Sequence, residues 1–122
     1  MDAAMDWLPD CLNLPDDVQR CARRILLDTI GCMLAGRQAP AVRSHERACA
    51  GLESGPFAFP GGQGLALHPA MVTAAMAATW DEACEGLAAA HGRPGVPVVA
   101  ALLPLAVARD ADRKSTRLNS SH

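Results

Sequence analysis

Residues 14–36 read LPDDVQRCARRILLDTIGCMLAG. This stretch decides the fold class, because it carries the period of an α-helix and signals for both of its ends. Pro15 suits a first helical turn, where a missing N–H loses no partner, and Asp16 and Asp17 complement the positive end of the helix dipole. Val18, Cys21, Ile25, Thr29 and Cys32, with Leu26, Ile30 and Met33, recur at helical spacing and predict an apolar face. Gly36 predicts the stop.

Moving outward, the segment APAVRSHERACAGL predicts a second helix from Pro40 to near Gly51, with Arg43, Glu46 and Arg47 on a solvated side. GPFAFPGGQGLAL, residues 55–67, is broken by glycine and proline and predicts a loop with at most a short extended piece. Its GGQG lacks the Gly-Lys-Ser/Thr of a phosphate loop and reads as a turn. The alanine-rich run after His68 predicts a third helix from Pro69 to about Ala83. VPVVAALLPLAVA predicts a fourth, apolar on all faces and hence internal.

Composition agrees. Half of the 122 residues are hydrophobic but only 3% are aromatic, and alanine with leucine dominates, so the expected class is all-α. A core of such small side chains is thin. At about 25 cal/mol per Å² of buried apolar surface it scarcely offsets the conformational entropy lost on folding, and further chain or a partner is expected to complete it.

The end of the chain differs from the rest. DADRKSTRLNSSH holds the only lysine, and RKSTRLNSSH resembles translated sequencing-adapter read-through. Residues 111–122 are therefore expected to be a non-native, disordered tail, with residues 1–110 the partial domain of a chain cut near Asp110. Without that tail the balance is 8 basic against 12 acidic residues, a net charge of −4. An acidic body argues against non-specific nucleic-acid binding. Five cysteines with no CxxC pair favour reduced thiols and a cytoplasmic location over a disulfide framework or zinc finger. MDAAMDW has no basic n-region, and the apolar run over residues 96–108 is shorter than the roughly 20 residues of a spanning helix, so neither a secretory signal nor a membrane partner is expected.

The chemistry concentrates in WDEACEGLAAAHGRP, residues 80–94. Proton transfer on a carboxylated substrate needs a donor or acceptor near neutral pH and groups that orient charge, and Asp81, Glu82, His91 and Arg93 supply those types. They fall between the third helix and an internal helix, where loops on a rigid scaffold often carry function. The plain structural alternative is a solvated helix end with a histidine capping the last turn. Asp81 and Glu85, four apart, would share a helix face and repel. A metal site from Cys84, Glu85, His91 or His68 matches no common zinc spacing, so no metal or cofactor is expected, and Cys84 reads as a small buried residue.

Three pieces in order, LPDDVQRCARRILLDTIGCMLAG, PAMVTAAMAATWDEACEG and HGRPGVPVVAALLPLA, resemble the amino-terminal part of the MmgE/PrpD family over Leu14 to Ala108. That family includes 2-methylcitrate dehydratase, cis-aconitate decarboxylase and iminodisuccinate epimerase. The specific element is a Leu-Asp-Thr-[Ile/Val]-Gly helix, here Leu27 to Gly31, then an alanine-rich helix ending in paired acids, then a histidine before a Pro/Val-rich helix. Thr73-Ala74 stands near where many members have Asn-Gly, Asp81-Glu82-Ala83 where many have Asp-Asp-Thr, and His91-Gly92-Arg93-Pro94 where His-Pro is typical.

The resemblance implies a large all-helical domain of which these would be the first helices, a smaller α/β lid and usually a homodimer. It also implies an active site lined by Asp81, Glu82 and His91, with further groups, a lysine among them, supplied downstream. The expected function is that of a fragment of a metal-independent lyase or isomerase acting on a small di- or tricarboxylic acid. His91 would be acid/base or substrate donor, Asp81 and Glu82 would orient it or take the proton, and Arg93 would bind a carboxylate. The rival expectation is a non-catalytic helical interaction module.

Overall fold

The computed structural model describes residues 14–86, 88–89 and 92–119. Four helices follow in order: α1 (Asp16–Gly36), α2 (Pro40–Leu52), α3 (Leu67–Thr79) and α4 (Gly95–Asn119). Among the described residues there is no strand, although Phe57 and Leu65 form an isolated antiparallel bridge, and the protein is all-α. No helix there is long and apolar enough to cross a membrane.

The alanine-rich helix is the centre. α3 touches α1, α2 and α4, and its buried residues Ala70, Thr73, Ala74, Ala77 and Ala78 fall at i, i+3, i+4, i+7 and i+8. Small side chains on that face let neighbouring backbones approach closely. Gly36 shows the limit: a Cβ there would run into the Ala77 carbonyl and come within 2.9 Å of Trp80 Cβ. The helix stop read at Gly36 therefore has a different cause, because Gly36 ends α1 where the helix crosses α3 and the following Arg37 is still right-handed. Thr29 and Thr73 are tolerated inside because their hydroxyls donate to the Ile25 and Pro69 carbonyls, at 2.9 and 2.7 Å.

Larger side chains plug the remaining space. Met33, Val42, Phe59, Val96 and Val99 join the alanines in one cluster. Phe59 reaches it from the loop, where Pro60-Gly61 forms a tight turn with Gly61 at φ 77° and the Gly62 N–H donating to the Phe59 carbonyl at 2.8 Å. One acid anchors that loop. Glu46 is 1% exposed, pairs with Arg37 at 3.1 Å and accepts the Gln63 N–H at 2.6 Å. This corrects the solvated side assigned to Glu46: the alternation of charges around it hid an inward-facing carboxylate with two partners, as a buried charge requires.

Two other readings change. Helix α4 is not apolar-buried on all sides, since Val96, Val99, Ala100 and Pro104 face inward while Val98 and Leu102 are 56% and 57% exposed. It forms with Leu26 of α1 an apolar groove lined also by Leu103 and Ala106. It also runs on to Asn119, through most of the segment where the sequence predicts a disordered tail. Elongating an existing helix adds one hydrogen bond per residue, and Ala111, Arg113, Lys114, Arg117 and Leu118 are adequate helix formers.

Candidate functional site

α3 ends at Thr79, four residues before the predicted end, so Asp81 and Glu85 do not share a helix face. The chain instead turns: the Trp80 N–H donates to the Ala77 carbonyl at 3.4 Å and the Glu82 N–H to the Thr79 carbonyl at 3.1 Å. Asp81 and Glu82 are both exposed on this turn. Glu82 has φ 52°, a left-handed backbone that costs a side-chain-bearing residue about 1 kcal/mol.

Two further carboxylates fix the turn to the helices. Asp28 Oδ2, on α1, accepts the Glu85 N–H at 3.0 Å. Glu85 Oε1 accepts the N–H of Gly95, the first residue of α4, at 2.5 Å. That N–H is one of the donors a helix leaves unpaired at its start, where the dipole also favours negative charge. Glu85 Oε2 is buried and has no partner among the described residues.

Arg93 comes back to the same place. Its Nη1 donates to the buried Cys84 Sγ at 3.3 Å, and its Nη2 lies 3.9 Å from Glu82 Oε2. The bond to Cys84 is the main cause holding the guanidinium above its usual pKa. Glu82 is 83% exposed, so its pairing with Arg93 is worth little and exchanges easily. Cys32, one turn beyond Asp28 on α1, packs against the same core. Burial first, then the negative charges of Asp28, Cys84, Glu85 and Asp81, push its thiol pKa up. A thiol that keeps its proton is a packing group here, not a nucleophile.

The structure thus brings Asp81, Glu82 and Arg93 to one turn, while His91 lies outside the described residues. His68 is exposed at the start of α3. Among the described residues no three His, Cys, Asp or Glu side chains are grouped to hold a metal ion. The residues that sequence reasoning did not place in the site are Asp28, Cys32 and Glu85. Asp28 had a signal, an acid inside an otherwise apolar Leu-Leu-Asp-Thr-Ile run, whereas Glu85 had none beyond its nearness to Asp81.

A family model described as the MmgE/PrpD N-terminal domain matches residues 10–119. No curated protein matches the chain, and no solved structure does.

Proposed function

Since the chain belongs to the MmgE/PrpD family through its N-terminal domain, we propose that the turn after α3 is part of the active site of a lyase or isomerase acting on a small di- or tricarboxylic acid. The reaction is proton transfer at a carbon next to a carboxylate. One observation supports this most: Asp81 and Glu82 stand exposed on a turn that hydrogen bonds tie to both α1 and α4. Exposed acids on a fixed backbone suit reaction with a ligand better than they suit stability.

In this reading Asp81 takes or orients the proton, and His91, a few residues on, acts as acid/base or as a donor to substrate. Arg93 exchanges the weak pairing with Glu82 for a substrate carboxylate, keeping its bond to Cys84 as the hinge of that exchange. No cofactor enters. Dehydration, decarboxylation and epimerisation share this proton step and differ in the group that leaves. The remaining acid/base groups come from chain beyond this domain, and the enzyme acts in the cytoplasm as a homodimer.

The test is kinetic. In the enzyme carrying this domain, Asp81→Asn and His91→Gln should each lower kcat/KM by about 10² or more, with melting little changed. Variants that melt lower yet keep their rate per folded molecule would remove both residues from the active site. The second reading, a non-catalytic helical interaction module, draws on the apolar groove between α1 and α4. The reading frame at the genomic locus separates the two: continuation into lysine- and histidine-bearing motifs favours the enzyme, a native stop near residue 110 the module.

A further inference from the structure

Arginine is scarce in this chain, yet Arg37, Arg43 and Arg47 line one half-open cavity of about 160 Å³ together with Glu46 and Gln63. A water molecule takes about 30 Å³ of the liquid, so the space admits several waters or a small ion in their place. The one carboxylate there is already committed. Glu46 Oε2 accepts from Nε and Nη2 of Arg37, both at 3.1 Å, and Oε1 accepts the Gln63 N–H at 2.6 Å. That pairing neutralises Arg37 and leaves the other two guanidinium groups uncompensated. Arg43 donates to the neutral Gln38 side-chain oxygen at 2.7 Å, and Arg47 has no ion pair among the described residues. The two stand four apart on α2, where like charges repel. Arg43 also lies in the first turn of α2, which holds no acidic residue and no side-chain cap, so the positive end of the helix dipole adds to its charge.

From this we infer that the cavity between α2 and the loop carrying Gln63 binds a small, doubly charged oxyanion, held by Arg43 and Arg47 beside the Arg37–Glu46 pair. Three guanidinium groups against one carboxylate leave a formal charge of +2, in a body whose net charge without residues 111–122 is −4. A dianion balances that excess; chloride or acetate balances half of it. The planar guanidinium fork matches the spacing of two oxygens on a phosphoryl or carboxylate group, and the Gln63 side chain adds a neutral donor. Phosphate and a short dicarboxylate share this chemistry. No residue of the turn after α3 lines the cavity, so the inference stands whether or not the acid/base reading does.

The experiment titrates the 122-residue chain at pH 8 with inorganic phosphate and with succinate, each against sodium chloride and sodium acetate at matched ionic strength, and follows the backbone amide signals of residues 41–47 and 63. Both dianions should give saturable shifts there that chloride and acetate do not. Arg43→Gln and Arg47→Gln should each weaken binding about fivefold and the double variant more than tenfold, while added sodium chloride weakens the parent. Because both positions are exposed, melting should hardly move, which separates lost binding from lost fold. Arg20→Gln, which removes an exposed arginine of α1 away from the cavity, should leave the titration unchanged. Tighter binding of phosphate assigns a phosphoryl ligand, and tighter binding of succinate a dicarboxylate. Shifts no larger than those from chloride and acetate, full affinity in the double variant, or equal weakening by Arg20→Gln would each overturn the inference, the last by showing attraction to net charge alone.

Discussion

Single residues carry the clearest departures from pattern. Glu46 sits between Arg43 and Arg47 in sequence, yet its carboxylate faces inward to Arg37 and the Gln63 N–H. Glu46→Ala should therefore cost about 1–3 kcal/mol in urea unfolding, less than for a fully buried pair because Arg37 is 22% exposed and can hydrate. Arg43→Ala and Arg47→Ala, on exposed positions, should each change stability by under about 0.5 kcal/mol. Cys32 makes a pH prediction. Its folded pKa is raised, so above the unfolded thiol pKa of about 8.5 the unfolded chain has released a proton that the folded chain keeps, and stability falls as pH rises. Comparing urea midpoints at pH 8 and pH 10, the parent should lose more than Cys32→Ala; equal losses would mean that Cys32 is not shielded. Iodoacetamide at pH 8 should label the exposed Cys21 well before Cys32.

Among the elements, α3 decides the packing through what it lacks. Five small residues on its inner face bring α1 close enough that Gly36 has no room for a methyl group. Gly36→Ala should cost about 1–3 kcal/mol, because the obstruction is the Ala77 backbone rather than a movable side chain, whereas Gly31→Ala, with open space around it, should be neutral or stabilising. A thermal melt of the two variants checks this. The helices themselves were legible, since apolar period, Pro15, Pro40 and the glycine-rich break over 55–67 all mark local structure that the tertiary fold does not override. The end of α3 was not. Ala83 and Cys84 have no strong breaker before them, and what ends the helix at Thr79 is tertiary: Asp28 takes the Glu85 N–H out of the helical path, and Cys84 turns into the core. The extra length of α4 escaped for the opposite reason, because its polar continuation has no apolar period to reveal a helix that needs only a template to propagate.

For the molecule as a whole, the same physics divides what sequence can say about the site from what it cannot. Asp81, Glu82 and Arg93 stand out in the sequence because they follow an alanine-rich run, but the bonds around them, Asp28 to Glu85 and Glu85 to Gly95, join α1, the turn and α4 across sequence distances no local pattern encodes. The turn is open. Asp81 and Glu82 face solvent, where a carboxylate is well hydrated and a substrate's charge is screened. Acid/base catalysis at carbon needs a donor and an acceptor on the reacting atom together, with water displaced so that the fixed charges act at full strength. A turn holding two exposed acids and one arginine already paired with Glu82 and Cys84 meets only part of that requirement. The 122-residue chain by itself should therefore show no turnover of 2-methylcitrate, cis-aconitate or related acids, and at most weak binding that Arg93→Ala removes. A coupled assay for product, run beside a titration of the same acids monitored at the Gly95 amide, checks both halves of the expectation. Measurable dehydration or decarboxylation by the purified chain would show that the described turn and its neighbouring loop suffice as an active site.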